Sequence, residues 1–205
     1  MRSITVLGMA ALMCLAVTAQ ADVITNGDFE TGDLSGWTVR PTGNGQTLVQ
    51  DVITYDIDGS GPLGDSLAAR FQVGEVNHIP AWEGIELVQD VSLAGGTEYA
   101  FDADLSAWSN QSSGNYDGGK FELILDGGVL DTWNAGFING YEKLYGHVSA
   151  TYTPGSDGPY EIGLRITRPW TPANIYQLVD NFTGIPEPAT LALLAFGGLA
   201  VLRRR

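Results

Sequence analysis

Apolar and polar positions alternate with a period of two along most of the middle of the chain. The pattern is plain over Thr47–Ile53, Ser66–Val73, Ile85–Leu93, Glu98–Leu105, Lys120–Leu125, Tyr145–Tyr152, Tyr160–Ile166 and Ile175–Phe182. A period of two puts every second side chain on one face of a strand, the mark of a half-buried sheet. Turn-forming clusters separate the runs, among them Asp126-Gly127-Gly128 and Gly155-Ser156-Asp157-Gly158. No internal stretch keeps a 3.6-residue period over three turns, as an amphipathic helix requires. Short, evenly spaced strands without helices predict an all-β fold, a single two-sheet jelly roll or β-sandwich. Its expected extent is residues 22–184, a length that suits one hydrophobic core, with no internal repeat and no linker to divide it.

Both ends fall outside that pattern. Residues 1–21 read as a signal peptide: Met1-Arg2, an apolar run from Val6 to Val17, and the small-residue triplet Ala19-Gln20-Ala21. The apolar run is too short for a membrane span of ~20 residues. Cys14, the one cysteine, would leave with this segment, so the mature chain carries no disulfide. Met13 stands where a lipoprotein would have a small residue. At the other end, Ala189–Leu202 is uncharged and rich in Leu, Ala and Gly. As a helix over 189–202 it would be about 21 Å long at ~1.5 Å per residue, short of a ~30 Å hydrocarbon core. Arg203, Arg204 and Arg205 resist translocation and would stay on the cytoplasmic side. Pro186 and Pro188 forbid helix just upstream. An ordinary tail anchor accounts for the apolar stretch and the arginines, but not for Pro186-Glu187-Pro188 before them.

The string IPEPATLALLAFGGLAVLRRR resembles the PEP-CTERM sorting signal. Pro186, Glu187 and Pro188 match its signature triplet, Ala189-Thr190 its continuation, Gly197-Gly198 its helix break, and Arg203–Arg205 its basic end. The resemblance spans residues 185–205 and implies an address, not an activity. It implies processing by exosortase, a partnering signal peptide removed by signal peptidase, and transient anchoring in the inner membrane. The destination would be the cell surface or extracellular matrix of a Gram-negative bacterium that makes exopolysaccharide.

Charge narrows the partners of the body. The whole chain carries −14. Within residues 22–184, six basic residues (Arg40, Arg70, Lys120, Lys143, Arg165, Arg168) face 23 acidic ones. Such a surface repels nucleic acid and anionic lipid and suits divalent cations or neutral partners. The segments TNGDFETGDLSGWTV, QDVSLAGGTEYAFDADL and YQLVDNFTG resemble carbohydrate-binding-module-like jelly rolls, in which the first and last strands meet near a structural calcium ion. The resemblance implies that Glu30 and Asp180 converge on such an ion, with Asp28 as a weaker third candidate. Calcium takes six to eight oxygens, backbone carbonyls included. The alternative is that all three are solvated carboxylates at strand ends. Asp56-Ile57-Asp58-Gly59-Ser60-Gly61 imitates half of an EF-hand loop, but Leu67 holds the twelfth place where a bidentate glutamate belongs. It reads as an acidic turn.

Five tryptophans remain to be placed. Trp37, after Gly36, reads as core. Trp82, Trp108, Trp133 and Trp170 fall near strand ends or loops and are candidate platforms for stacking sugar rings, set against the ordinary role of large aromatics as buried payload. Nothing points to catalysis. His78 and His147 lack a nucleophile signature nearby, and neither a His-Glu-x-x-His nor a Gly-x-Ser-x-Gly motif occurs. The chain therefore reads as a noncatalytic exported surface or matrix protein with a glycan-binding jelly roll stiffened by calcium. The rival is a small secreted hydrolase acting on polysaccharide, whose paired carboxylates would be invisible in sequence.

Overall fold

A computed structural model describes residues 21–57, 66–77, 81–112 and 116–187. The signal segment, the apolar tail from Pro188 to Arg205, most of the acidic turn after Ile57, and His78 lie outside the described residues. Within them the chain forms strands and turns and no helix.

Eight strands carry the architecture, and each lies where the alternation predicts one. They are β2 (Gly45–Thr54), β3 (Leu67–Glu75), β4 (Trp82–Leu93), β5 (Tyr99–Ser109), β7 (Lys120–Leu125), β10 (Lys143–Tyr152), β11 (Gly158–Pro169) and β12 (Ile175–Pro186). Four further strands escape the pattern: β1 (Thr38–Pro41), β6 (Tyr116–Asp117), β8 (Gly128–Asn134) and β9 (Phe137–Ile138). All pairings are antiparallel. One five-stranded sheet runs β1-β4-β11-β7-β8, the other β10-β5-β12-β3-β2, and β6 pairs with β9 in a small third sheet. The two large sheets face each other, which makes the fold a jelly-roll sandwich.

Alternation explains the core directly. From β5 come Phe101, Ala103 and Leu105, and from β12 Val179; opposite them stand Leu87, Leu123, Leu164 and Ile166, all essentially without solvent contact. Hairpin β7–β8 turns at Asp126-Gly127, both with positive φ (47° and 77°), the tight geometry that an Asp-Gly pair accepts. Strand β8 escaped notice because Val129 is exposed and Leu130 half-buried. Its Trp133 crosses to the other sheet and lies over Gly146, where a Cβ would come within 2.1 Å of the indole.

The amino-terminal segment closes one end of the sandwich. Asn26, in a left-handed conformation (φ 51°), ties this loop together: its side-chain amide donates to the carbonyls of Asp33 and Ser35, and its own carbonyl accepts the Trp37 indole N–H at 2.9 Å. Phe29 is fully buried, stacked 5.8 Å from Trp37, which meets Phe182 edge-on at 5.2 Å. The segment then lies along β12: Phe182 N–H donates to the Gly27 carbonyl and Val23 N–H to the Gly184 carbonyl, each at 2.9 Å.

The outward face of the β1-containing sheet is a chain of ion pairs. Arg40 bridges Glu161 and Glu86, Arg165 bridges Glu86 and Glu122, and Lys120 pairs with Glu122.

Trp37→Ala removes the plug that joins Phe29 to Phe182 and orphans the Asn26 carbonyl. The expected cost is about 3–5 kcal/mol in urea unfolding. A loss under about 1 kcal/mol would show that this end of the sandwich is held by something else.

Candidate functional site

Two places on the domain concentrate chemistry that the core does not need. The first is a cleft at one end of the sandwich, about 510 Å³ in volume. Its lining comes from the small sheet (Tyr116, Asp117, Phe137), the end of β11 (Arg168, Pro169) and the loop that follows (Trp170, Thr171, Pro172, Ala173). Phe137 is 72% exposed and Trp170 43%. Large apolar side chains so exposed contribute little to folding, and grouped around a concavity they mark a binding surface. Trp82, 40% exposed, stands opposite Pro169 in the register of β4 and β11, with the Lys120 ammonium 5.5 Å from its ring.

The loop is fixed rather than merely present. Trp170 adopts φ 138°, a left-handed value costly for a bulky residue. It is held there because its carbonyl accepts the Glu75 N–H at 2.9 Å, while the Ala173 carbonyl accepts the Gln72 side-chain amide at 2.6 Å. Gly74 leaves room for this approach: a Cβ there would fall 2.4 Å from the Trp170 carbonyl oxygen. Pro169 and Pro172 stiffen the same loop. Beneath it, Arg168 is 1% exposed, its guanidinium donating to the carbonyls of Asp117 (2.8 Å) and Val73 (3.3 Å). Burial pulls its pKa below the ordinary arginine value, and the Asp117 carboxylate restores part of that.

The other sequence-predicted tryptophans sit differently. Trp133 is half-buried, 5.1 Å from Phe121 and pressed on Gly146. Trp108 lies on the outer face of the β5 sheet, between Tyr55 (6.0 Å) and Tyr176 (5.4 Å). Lys143 covers the faces of Tyr55 and Trp108, and Arg70 covers Tyr176 while pairing with Asp51. These rings already have cationic partners, so a sugar would have to displace them. Phe137 and Tyr116 were missed in sequence because they lie in two-residue strands with no period, and Arg168 because it stands at the end of β11, beyond the alternating run that stops at Ile166. The nearest signal was the Arg168-Pro169-Trp170-Thr171-Pro172 run itself.

The second place is acidic. Asp180 is 1% exposed; its Oδ1 accepts the Asn181 N–H at 2.7 Å, and among the described residues its buried Oδ2 has no hydrogen-bond partner. Asn181 (φ 50°) marks a bulge in β12 and donates to Asp104. Burial pushes the Asp180 carboxyl up to about 7; Glu30 and Asp104 add to this, while the Asn181 N–H and Ser66 hydroxyl oppose it. Glu30 Oε1 accepts the Leu67 N–H at 3.0 Å. The structure thus brings Glu30 and Asp180 into each other's field. Asp28 is exposed and spends its Oδ1 on the N–H of Glu30 within its own turn. Among the described residues no three His, Cys, Asp or Glu side chains form a metal-holding group. On the same face, His147 is bracketed by Asp104 (3.1 Å) and Asp102 (3.0 Å). Partial burial works against its protonation, but the two carboxylates outweigh it and raise its pKa.

Residues 184–205 match the PEP-CTERM protein-sorting motif. No curated protein matches the chain. Similar solved structures include TmCBM61 in complex with beta-1,4-galactotriose, 17% identical, covering 82% of this chain and 99% of that one at a TM-score of 0.47. The CBM22-1 xylan-binding domain of Paenibacillus barcinonensis Xyn10C is 15% identical over 83% of this chain and 97% of that one, at 0.43. Arabinose-bound MgGH51 α-L-arabinofuranosidase is 16% identical over 82% of this chain and 27% of that one, at 0.48.

The raised Asp180 pKa has a signed consequence. Because the folded value (about 7) exceeds the ordinary 3.8, this group's contribution to stability is lost as pH rises from about 4 to 7. Asp180→Asn should escape that loss. In a metal-free buffer its stability relative to the parent should climb across this window and level off above it. A gap independent of pH would show that the carboxyl is not held up by burial.

Proposed function

We propose that the domain is a noncatalytic glycan-binding module, delivered to the cell surface or matrix of a Gram-negative bacterium by its carboxy-terminal motif. That motif implies export, exosortase processing and sorting through a membrane-anchored C-terminus. The observation that carries the glycan reading is the end cleft, where Trp170, on a backbone fixed in a strained conformation, and Phe137 of β9 both stay exposed. A pyranose presents an apolar face of axial C–H groups, and rigid aromatic rings receive it at little cost in side-chain entropy. The Thr171 hydroxyl and the main chain of the loop supply polar contacts at the ring's edge. With 23 acidic residues against six basic ones in residues 22–184, a neutral extracellular polysaccharide is the preferred ligand over an anionic one.

Binding without cleavage fits the composition of the cleft. Glycoside hydrolysis uses two carboxyl groups flanking the scissile bond. Asp117 is the one carboxylate in the described lining, and its Oδ1 is engaged by the N–H of Gly119 at 2.8 Å.

Calcium belongs to the same proposal as a structural element. A buried Asp180 oxygen without a partner among the described residues, on a carboxyl whose pKa the charges of Glu30 and Asp104 raise further, is the environment a divalent cation relieves. Asp180 and Glu30 would hold it, main-chain carbonyls and water completing the oxygen shell. When bound, the ion would fix the acidic end of β12 against the amino-terminal loop.

Two measurements test this reading. Titration of the domain with a panel of neutral polysaccharides should show a ligand whose affinity falls at least about tenfold on Trp170→Ala or Phe137→Ala. Trp133→Ala should not mimic this once its stability loss is allowed for. Unchanged affinity in both cleft variants, or reducing-sugar release dependent on Asp117, would overturn it. For calcium, melting should rise by roughly 5–10 °C at a concentration about 100 times Kd and fall again with chelator. That response should vanish in Asp180→Ala. Melting indifferent to both reagents would remove the ion from the account.

A further inference from the structure

The first two residues of the sorting triplet are not in a free tail. Pro186 is the last residue of β12, buried, and stands opposite Tyr99 of β5. The N–H of Glu187 donates to the carbonyl of Glu98 at 2.7 Å. One edge of the motif's approach is thus occupied by β5, through Thr183, Gly184, Ile185 and Pro186 in register with Asp102 to Tyr99.

The other edge is occupied by the amino-terminal segment. β3 pairs with β12 only from Gln177 to Val179. Beyond that point Gly27 takes the N–H of Phe182, and Val23 donates to Gly184. Asp22 completes the clamp: its Oδ1 accepts both the Gly184 N–H and the Ile24 N–H, each at 2.8 Å. The approach is so close that a Cβ on Gly27 would lie 1.8 Å from the Phe182 carbonyl oxygen, and one on Gly184 2.8 Å from Val23. In sequence, Pro188 alone separates Glu187 from the apolar stretch that begins at Ala189, a reach of about 7 Å when extended.

An enzyme that cuts a peptide takes it as an extended segment and uses its main-chain groups. Here the strand leading into the motif is paired on both sides as far as Gly184, and Pro186 and Glu187 are held on the β5 side. We propose that the folded sheet gates its own sorting: the processing enzyme reaches the motif only when the end of β12 is unfastened from β5 and from the amino-terminal segment, with Asp22 as the latch. Tail removal therefore proceeds from chains still folding, or through local opening of this strand end, which is the kind of sub-global fluctuation that strand termini undergo.

Pulse-chase labelling of the full chain in cells that process it provides the test. Six Gly and Ser residues inserted between Ile185 and Pro186 lift the motif off the sheet. Tail removal should then accelerate at least about fivefold, while melting of the secreted domain changes little. Asp22→Ala deletes two hydrogen bonds at the strand end and should accelerate it about fivefold. Asp22→Asn keeps an acceptor oxygen and should process at the parental rate. Hydrogen exchange should show the Gly184 and Glu187 amides protected in the parent and released by Asp22→Ala. The insertion leaving the rate unchanged or lower, or Asp22→Ala exposing both amides without changing the rate, would overturn the gate.

Discussion

β3 parts from β12 after Val179, and the place it leaves is taken by the chain's own amino-terminal segment. Much else in the domain follows from that substitution. Main-chain groups of β12 beyond Asp180 would otherwise be buried without partners, at a cost comparable to a lost hydrogen bond for each. The carbonyl of Gly27, the N–H of Val23 and the carboxylate of Asp22 answer them. The bulge at Asn181 is what turns Phe182 inward toward Trp37. Asp180, just before the bulge, keeps the outer face by ordinary alternation with Leu178, so the acidic site and the aromatic plug adjoin where the strand departs from regular geometry.

The sandwich was legible in sequence because its eight long strands each turn an apolar face to the core, and such a face is what a period of two records. β1 could not be read that way: three of its four residues are exposed and it ends in Pro41. β6 and β9 have two residues each, too few for any period. The Asp126-Gly127 turn was visible while the strand after it was not, since turn chemistry is local but the packing of Trp133 on Gly146 joins two different sheets. The pairing of Glu30 with Asp180 rests on resemblance, since no spacing along the chain joins them; the Glu30 charge adds to the raised Asp180 pKa. The cleft was half legible. Trp170 stood out among its prolines, but Phe137 and Tyr116 join it only through tertiary pairing that no spacing along the chain encodes.

The two aromatic groupings show how packing sorts residues of the same type. Trp108 and Tyr176 are wide, flat and near the surface, as Trp170 is. Yet Lys143 and Arg70 lie across them, and Asp51 holds Arg70 in place. Rings engaged by cations and bracketed by neighbours contribute to stability. At the sandwich end, strain in the backbone and two prolines keep Trp170 turned outward instead. The distinction lies in exposure: Trp170 is 43% exposed, whereas Trp108 and Tyr176 are half-buried.

The ion pairs along the β1 sheet bear on how copies of this protein would sit beside one another. Arg40, Arg165 and Lys120 are spent on Glu86, Glu161 and Glu122. Arg70 is spent on Asp51, Lys143 on two rings, and Arg168 is buried. Among the described residues every lysine and arginine of the body already has a partner of its own. Domains crowded on one surface would therefore repel each other at every approach, keeping a spacing set by the ionic medium, about 10 Å of screening length at 0.1 M salt. A dense coat of such molecules would behave as a polyanionic brush, swelling in fresh water and collapsing in brine or divalent salt.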